Sequence, residues 1–155
     1  MKHNEFMTRA LQLAAENVSQ KSGPFGAVIV KDGKIVGEGV NQVPLKNDPT
    51  AHAEVQAIRD ACKNLNTFRL EGCIIYSSCE PCPMCFSSIY WAHIDKVYFA
   101  ANHNDADHAG FDDGFIYKEL KVEMNDRKIP FIEMSHDLKL LPFEKWDELE
   151  NKIQY

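Results

Sequence analysis

Two short motifs in this sequence contain the residue types that bind metal ions and move protons. HAE occupies residues 52–54, and SCEPCPMC occupies residues 78–85. Cys82 and Cys85 are three positions apart at the predicted start of a helix, which places both sulfurs on one face of that helix. The positive end of the helix dipole lowers the pKa of thiols, so two thiolates are most easily held there. With His52 from a second helix start, the motifs predict three metal ligands.

The number of ligands indicates the kind of metal site. Structural zinc sites close with four protein ligands, whereas catalytic zinc sites keep one position for water. Cys79 forms a second CxxC with Cys82, but it precedes the predicted helix, so we do not expect it to bind the metal. His3 is close to the N-terminus, and the four histidines after residue 90 have no spacing that pairs them with the CxxC. The residues therefore predict one catalytic Zn²⁺ per subunit.

Glu54 is the predicted base of this site. Two thiolates cancel the formal charge of Zn²⁺, so the ion acidifies a water molecule less than it would among histidines, and a nearby base becomes valuable. His52 and Glu54 are two positions apart, and side chains with this spacing point in different directions inside a helix. In the first turn, however, side chains can bend around the open end of the helix, where the N–H group of Ala53 also points. We therefore predict that Glu54 takes a proton from water and returns it to the substrate.

Taken alone, each motif is compatible with more than one kind of site. A single CxxC is often incidental, and an HxE is common by chance. A redox CxxC in a thioredoxin-like fold would leave His52 and Glu54 without a role, and a closed structural zinc module would not be an enzyme. Together, an H-x-E and a later P-C-x-x-C that each open a helix match the signature of zinc-dependent deaminases. The combination favours a hydrolytic enzyme over both alternatives.

The rest of the sequence predicts the elements that hold these motifs. Apolar residues at helical spacing predict a first helix over roughly residues 4–20. Asp32 and Gly33 separate two β-rich runs, at 27–30 and 35–41. This dipeptide favours a tight hairpin, because both turn positions tolerate positive φ. The first two strands should therefore be antiparallel neighbours.

Helices and strands alternate further along the chain. An amphipathic stripe predicts a helix over residues 51–65, and the CxxC should open another helix with Pro81 at its first position. Strands at 73–77 and 96–100 flank that helix, which predicts a crossover between parallel strands. Two later candidates are a weaker fifth strand at 130–135 and a terminal helix at 143–153. This order predicts an α/β fold, a three-layer α/β/α sandwich with a mixed, roughly five-stranded sheet.

Composition restricts the number of domains and the class of partner. A chain of 155 residues that is 45% hydrophobic fits one domain, residues 1–155. A net charge of −6 without any basic run disfavours nucleic acid as a partner. Three of the five cysteines lie within seven residues, which suits metal binding in a reducing compartment better than disulfides. The charged N-terminus is unlike a signal peptide and no apolar run spans a membrane, so we expect a cytoplasmic protein without a membrane partner.

Longer segments resemble one known superfamily. TAHAEVQAI, residues 50–58, and SCEPCPMC are similar to the zinc motifs of the cytidine/deoxycytidylate deaminase superfamily. GPFGAV, residues 23–28, and FDDGFIY, residues 111–117, resemble the small bacterial guanine deaminases within it, as does the short C-terminal tail. The resemblance implies zinc-dependent hydrolysis of guanine to xanthine and ammonia, with a purine base and water as the small-molecule partners.

The resemblance also implies roles for individual residues. Asn41 and Asp113 would hold the purine together with the backbone of Ala53, and Asp113 beside the leaving amine would assist its protonation. Phe25 would form a wall of the base pocket, and Tyr155 would close the site. The resemblance further implies a homodimer whose subunits exchange their C-terminal segments, about residues 136–155.

The residues themselves leave other roles open for these positions. Asn41 could be a turn residue, Asp113 a solvated loop charge or a helix cap, and Phe25 and Tyr155 could be a packing residue and a frayed end. Guanosine or another aminated heterocycle is an alternative substrate on the same scaffold. A tRNA adenosine deaminase has the same zinc core, but it needs a basic surface that this acidic chain does not indicate.

Overall fold

A mixed four-stranded sheet organises the part of the protein that contains both motifs. The computed structural model describes residues 2–155. The strands are β1 (Gly26–Lys31), β2 (Lys34–Val40), β3 (Cys73–Cys79) and β4 (Lys96–Ala101). The helices are α1 (His3–Val18), α2 (Val43–Lys46), α3 (Ala53–Leu65), α4 (Pro83–Trp91), α5 (His103–His108), α6 (Gly114–Glu119) and α7 (Leu141–Glu148), with one 3₁₀ turn at Met124–Asp126. Across residues 2–155, every helix is too short or too polar to span a bilayer.

The chain divides into two compact units. The larger unit runs to Gly114 and includes the sheet, and the smaller unit runs from Phe115 to Tyr155. Within the larger unit the strand order is β2-β1-β3-β4. β1 is antiparallel to β2 and to β3, whereas β3 and β4 are parallel. The predicted parallel crossover is therefore confirmed, and the single domain over residues 1–155 stays a prediction.

The predicted hairpin is confirmed by its turn. Asp32 and Gly33 both have positive φ, 49° and 74°, and Lys31 pairs with Lys34 across the turn. This is the left-handed backbone that a two-residue turn between twisted strands requires. The hairpin pairs one edge of β1 with β2, and β3 pairs with the other edge, so β1 is a central strand.

Alternate residues of the central strand contact different helices. Ile29 packs in one core cluster with alanines of α3 and with Ile89 of α4. Val28 packs in a second cluster with Phe6 and Ala10 of α1. Successive side chains of a strand point to opposite faces, so α1 covers one face while α3 and α4 cover the other. The arrangement agrees with the predicted three-layer sandwich.

A glycine allows the helix that follows HAE to lie directly on the sheet. A Cβ atom at Gly39 of β2 would lie 2.2 Å from the carbonyl oxygen of Ala53 and 2.3 Å from the amide nitrogen of Ala57. Both atoms belong to the helix backbone, which cannot move aside as a flexible side chain would. The start of α3, and with it the HAE motif, therefore depends on a missing side chain in β2.

The predicted fifth strand is wrong. Residues 130–135 form no strand, and the sheet within residues 2–155 has four strands. Pro130 has no N–H group for a sheet ladder, and the N–H group of Phe131 donates locally to the carbonyl of Met124 at 3.0 Å. Ile132 and Met134 are each 76% exposed, so the apolar composition of this segment does not reflect a buried strand. The predicted terminal helix is present as α7, although it ends earlier, at Glu148.

Candidate active site

The two motifs lie at two helix starts of the same kind. His52 is the N-cap residue of α3 and Cys82 is the N-cap residue of α4, and both have extended backbone angles. Pro83, rather than Pro81, occupies the first position of α4, so that detail of the prediction is wrong. A proline is tolerated there because the N–H group it lacks would have no partner within the helix. Cys85 follows one turn later.

The side chains of His52, Cys82 and Cys85 converge on one point. Nδ1 of His52 lies 3.5 Å from the sulfur of each cysteine, and the three ligand atoms lie within 4.8 Å of one another. Tetrahedral zinc with Zn–N and Zn–S bonds of about 2.0 and 2.3 Å would separate nitrogen and sulfur ligands by about 3.5 Å. The three donors therefore fit this ion in type and in spacing.

The two cysteines of the metal-ligand cluster differ in pKa. A hydrogen bond from the Cys85 thiol lowers the pKa of Cys82 to about 4, and His52 adds to this effect. The same bond raises the pKa of Cys85. The hydrogen bond to Cys82 also raises the pKa of His52. The cluster thus concentrates negative charge on Cys82, which suits a divalent cation.

Glu54 is a buried carboxyl group next to the metal-ligand cluster. Its side chain is held at both oxygens, since Oε1 accepts a hydrogen bond from the Ser77 hydroxyl at 2.9 Å and Oε2 accepts one from the Cys85 thiol at 3.3 Å. Burial raises the pKa of Glu54 above its ordinary value. A raised pKa makes the ionised carboxylate a stronger base, which favours a group that must accept a proton and later return it. Its position beside the three ligands is the one that the HAE spacing predicts.

Cys79 has a different environment from the other two cysteines of its motif. Its thiol donates toward the carbonyl oxygen of Asn102 at 3.8 Å. Burial is the main cause that raises its pKa to about 11. Cys79 is therefore a neutral thiol, and it does not belong to the cluster formed by the three predicted ligands.

Asn41 follows β2 and is tightly held. Its Oδ1 atom accepts hydrogen bonds from the Val43 N–H group at 3.1 Å and from the Ser22 hydroxyl at 3.2 Å. Its main-chain N–H group donates to the carbonyl oxygen of Phe25 at 3.1 Å. Because the amide oxygen has two donors, the orientation of the Asn41 amide is defined.

Phe25 contacts the loop that contains Asp113. The rings of Phe25 and Phe111 meet edge to face, with centroids 5.0 Å apart. Two residues after Phe111, Asp113 places Oδ1 3.1 Å from Nδ1 of His103. Burial raises the pKa of Asp113. Its carboxylate also contributes to the raised pKa of His52, so Asp113 and the metal-ligand cluster share one electrostatic environment.

The last two predicted site residues lie in different units. Ala53 is buried and is the first residue of α3, where a backbone N–H group has no acceptor within the helix. Tyr155 belongs to the smaller unit, and its side chain is largely exposed. Its predicted role in closing the site stays a prediction.

Three polar residues near the site were missed by sequence reasoning. Ser77 is two positions after the buried Ile75, so strand alternation could have placed it on the face that contacts α3. Glu80 stands inside the SCEPC motif but had no assigned role. His103 had no spacing signal, because it approaches Glu80 only when β3 and β4 pair side by side.

The chain is similar to known proteins over all or part of its length. The model of the cytidine and deoxycytidylate deaminase zinc-binding region matches residues 1–101. Guanine deaminase from Bacillus subtilis (strain 168) is 54% identical over 156 residues, which cover 100% of both chains. The crystal structure of B. subtilis guanine deaminase superposes with a TM-score of 0.97, covering 100% of this chain and 99% of the other.

More distant relatives match a shorter part of the chain. A tRNA-specific adenosine deaminase from Aquifex aeolicus (strain VF5) is 45% identical over 62% of this chain and 64% of its own length. The crystal structure of a protein in complex with 8-azaguanine is 31% identical in sequence and has a TM-score of 0.68. The match covers 70% of this chain and 63% of the other chain. The zinc-binding region and the full-length similarity together show that the chain belongs to the cytidine and deoxycytidylate deaminase family.

Proposed function

We propose that this protein hydrolyses guanine to xanthine and ammonia. The observation that carries the proposal is the extent of the similarity to B. subtilis guanine deaminase, which covers the whole chain. The zinc-binding region ends at residue 101, before Asp113, and the tRNA-specific adenosine deaminase from A. aeolicus also matches only 62% of the chain. Similarity that continues through Asp113 to the last residue favours the substrate of the full-length relative.

His52, Cys82 and Cys85 would hold one zinc ion per subunit. When bound, the ion supplies Lewis-acid activation of a water molecule. Glu54 receives the proton that this water loses and delivers it to the ring nitrogen next to C2 of guanine. The burial that raises the pKa of Glu54 supports this role, because the group must be a base in the first step and an acid in the second.

The proposed base-binding residues complement the polar edge of guanine. Oδ1 of Asn41 already accepts two hydrogen bonds, which orients Nδ2 as the donor for a purine acceptor. Asp113 would accept from guanine N–H groups and would assist protonation of the leaving amine. Phe25 would provide an apolar wall, and the N–H group of Ala53 would donate to the substrate. Tyr155 is proposed to close the site.

Three other kinds of substrate and a non-catalytic role are less well supported. Guanosine differs from guanine by a ribose at N9, and another aminated heterocycle could use the same proton transfers. tRNA adenosine would require the protein to contact an RNA backbone, and a net charge of −6 opposes such contacts. A closed structural zinc module would leave the buried Glu54 carboxyl beside the cluster without a function.

The proposed assembly is a homodimer that exchanges the segment of about residues 136–155. The smaller unit by itself leaves large apolar side chains exposed, and Phe143 is 66% exposed. Exposed apolar surface of this extent is typical of an interface.

We further propose that the protein functions in the cytoplasm as one domain, residues 1–155. None of the five cysteines, all of which lie within residues 2–155, forms a disulfide, and this suits a reducing compartment.

The substrate is tested by measuring ammonia and product with purified, zinc-loaded protein. Guanine, guanosine, adenine, cytosine and cytidine are compared under identical conditions, and xanthine is identified by chromatography. We expect guanine to give equal amounts of xanthine and ammonia and the other compounds to react far more slowly. If guanine is inert while a nucleoside is deaminated, the substrate proposal is wrong even though the zinc chemistry is retained.

A further inference from the structure

Three side chains form a line that ends at Asp113. Glu80 Oε1 lies 3.3 Å from Nε2 of His103, and Nδ1 of His103 lies 3.1 Å from Oδ1 of Asp113. All three side chains are at least two-thirds buried. The imidazole therefore lies between two carboxylates, with a carboxylate oxygen within 3.3 Å of each ring nitrogen.

The backbone fixes the start of this line. The Glu80 N–H group donates to the carbonyl oxygen of Ala101 at 2.8 Å, which joins the ends of β3 and β4. Oε2 of Glu80 accepts the main-chain N–H group of His103 at 3.1 Å. Asn102 caps α5 through a reciprocal pair of hydrogen bonds with Asp105. Both the backbone and the ring of His103 are thus positioned by groups outside the proposed chemistry.

Asp113 needs such support because of where it lies. It belongs to the loop between α5 and α6. In the neighbouring Asp112, Oδ1 accepts a hydrogen bond from the Gly114 N–H group at 2.8 Å. A loop carboxylate can rotate about two side-chain bonds, whereas proton transfer and substrate orientation require one position. The contact with Nδ1 of His103 selects one position for the Asp113 carboxylate.

We propose that His103 is a positioning residue for the deamination reaction, orienting Asp113 through Nδ1 while Glu80 holds the opposite side of its ring. The inference depends on the proposed role of Asp113 in the reaction. It assigns functions to Glu80, within the SCEPC motif, and to a histidine outside the metal-ligand set. His103 itself need not contact guanine.

Two substitutions test the contributions of the two ring nitrogens of His103 separately. An asparagine amide places its nitrogen near the position of Nδ1, and a glutamine amide places its nitrogen near Nε2. His103→Asn should keep the interaction with Asp113 and retain kcat/KM within about 3-fold of the unsubstituted protein. His103→Gln should lose about 10- to 100-fold in kcat/KM, because a misplaced carboxylate near the reacting atoms has effects of this size.

A double substitution tests whether His103 acts through Asp113. In the Asp113→Ala background, His103→Gln should cause no further loss, since the group that His103 orients is already absent. A merely structural role for His103 would instead lower kcat/KM by the same factor in both backgrounds. This comparison is also valid if His103→Asn and His103→Gln both reduce stability.

The controls separate this inference from the proposed function. His108→Gln changes another histidine of α5 and should leave kcat/KM unchanged, and zinc content and unfolding temperature are measured for every variant. Suppose that the unsubstituted protein deaminates guanine. If His103→Asn and His103→Gln then lose activity equally, or if neither loses activity, only the positioning role is overturned. If the unsubstituted protein leaves guanine unchanged, the proposed function fails and the inference fails with it.

Discussion

The Ser77 hydroxyl donates a hydrogen bond to Oε1 of Glu54 across 2.9 Å, with both residues buried. This hydrogen bond lowers the pKa of Glu54, in opposition to the larger effect of burial, which raises it. The strand that leads to the cysteine motif thereby adjusts the acidity of the proposed base on the opposite helix. The hydrogen bond connects two residues that are 23 positions apart in the sequence.

Ser77→Ala should shift the pH dependence of activity. Loss of the hydrogen bond raises the pKa of Glu54 further, and Glu54 must be unprotonated to accept a proton from water. The acidic limb of the kcat/KM profile should therefore move to higher pH, while activity at alkaline pH is largely retained. Ser78→Ala is the matched control, because the Ser78 hydroxyl accepts from the Gly26 N–H group instead. An unshifted acidic limb would contradict the proposed role of the Ser77–Glu54 pair.

Glu54→Gln should separate metal binding from turnover. The amide keeps the size of the side chain but cannot accept and return a proton, so we expect kcat to fall by about 10²- to 10⁴-fold. Zinc content should remain close to one ion per chain, because Glu54 is not among the three proposed ligands. Metal analysis and ammonia release on the same preparation check this. Unchanged turnover would exclude Glu54 as the proton carrier.

Substitution of single cysteines should identify the metal ligands. Cys82→Ser and Cys85→Ser each replace a ligand and should lose both zinc and activity. Cys79→Ser is the control within the same motif, since its thiol faces the Asn102 carbonyl, and it should retain zinc. Zinc is quantified after dialysis against a chelator of moderate affinity. Loss of zinc from the Cys79 variant alone would reverse the proposed ligand set.

Gly39→Ala should disturb the site through the backbone. Its new methyl group would lie 2.2 Å from the Ala53 carbonyl oxygen, so the start of α3 would have to move. We expect about 1–3 kcal/mol of destabilisation, as for other overpacked cores, together with weaker zinc retention. Gly33→Asn is the control, because its Cβ has nothing within 4 Å and asparagine tolerates positive φ. Denaturant unfolding and zinc analysis measure both effects.

The proposed dimer should depend on apolar residues of the smaller unit. Phe143→Asp places a charge on an apolar side chain that is 66% exposed within its own chain. If a second subunit covers this position, the charge should be costly to bury, and light scattering after size exclusion should detect a shift toward monomer. Lys139→Asp is the control, because it also introduces an acidic residue but at a position that is already polar. This variant should remain dimeric. A monomeric unsubstituted protein would remove the dimer and the segment exchange together.

Local sequence was sufficient for the features that depend on neighbouring residues. The Asp32-Gly33 turn, the first helix and the two helix starts of the motifs follow from turn chemistry and helical spacing, which act over a few residues. The convergence of His52, Cys82 and Cys85 was predictable because the two motifs are specific in combination. The fifth strand was predicted wrongly, since apolar composition alone does not say whether a segment finds a partner strand. The roles of Phe25, Asn41 and Tyr155 in substrate binding stay predictions.

Only the tertiary structure decided which polar groups support the proposed chemistry. Parallel pairing of β3 with β4 brings Glu80 beside His103, and packing of α3 on the sheet brings Ser77 to Glu54. The two residues of each pair are 23 positions apart, and neither pair has a fixed spacing that a motif could express. Their contacts arise because buried polar groups must find partners within the folded chain, and the fold determines which partners are within reach.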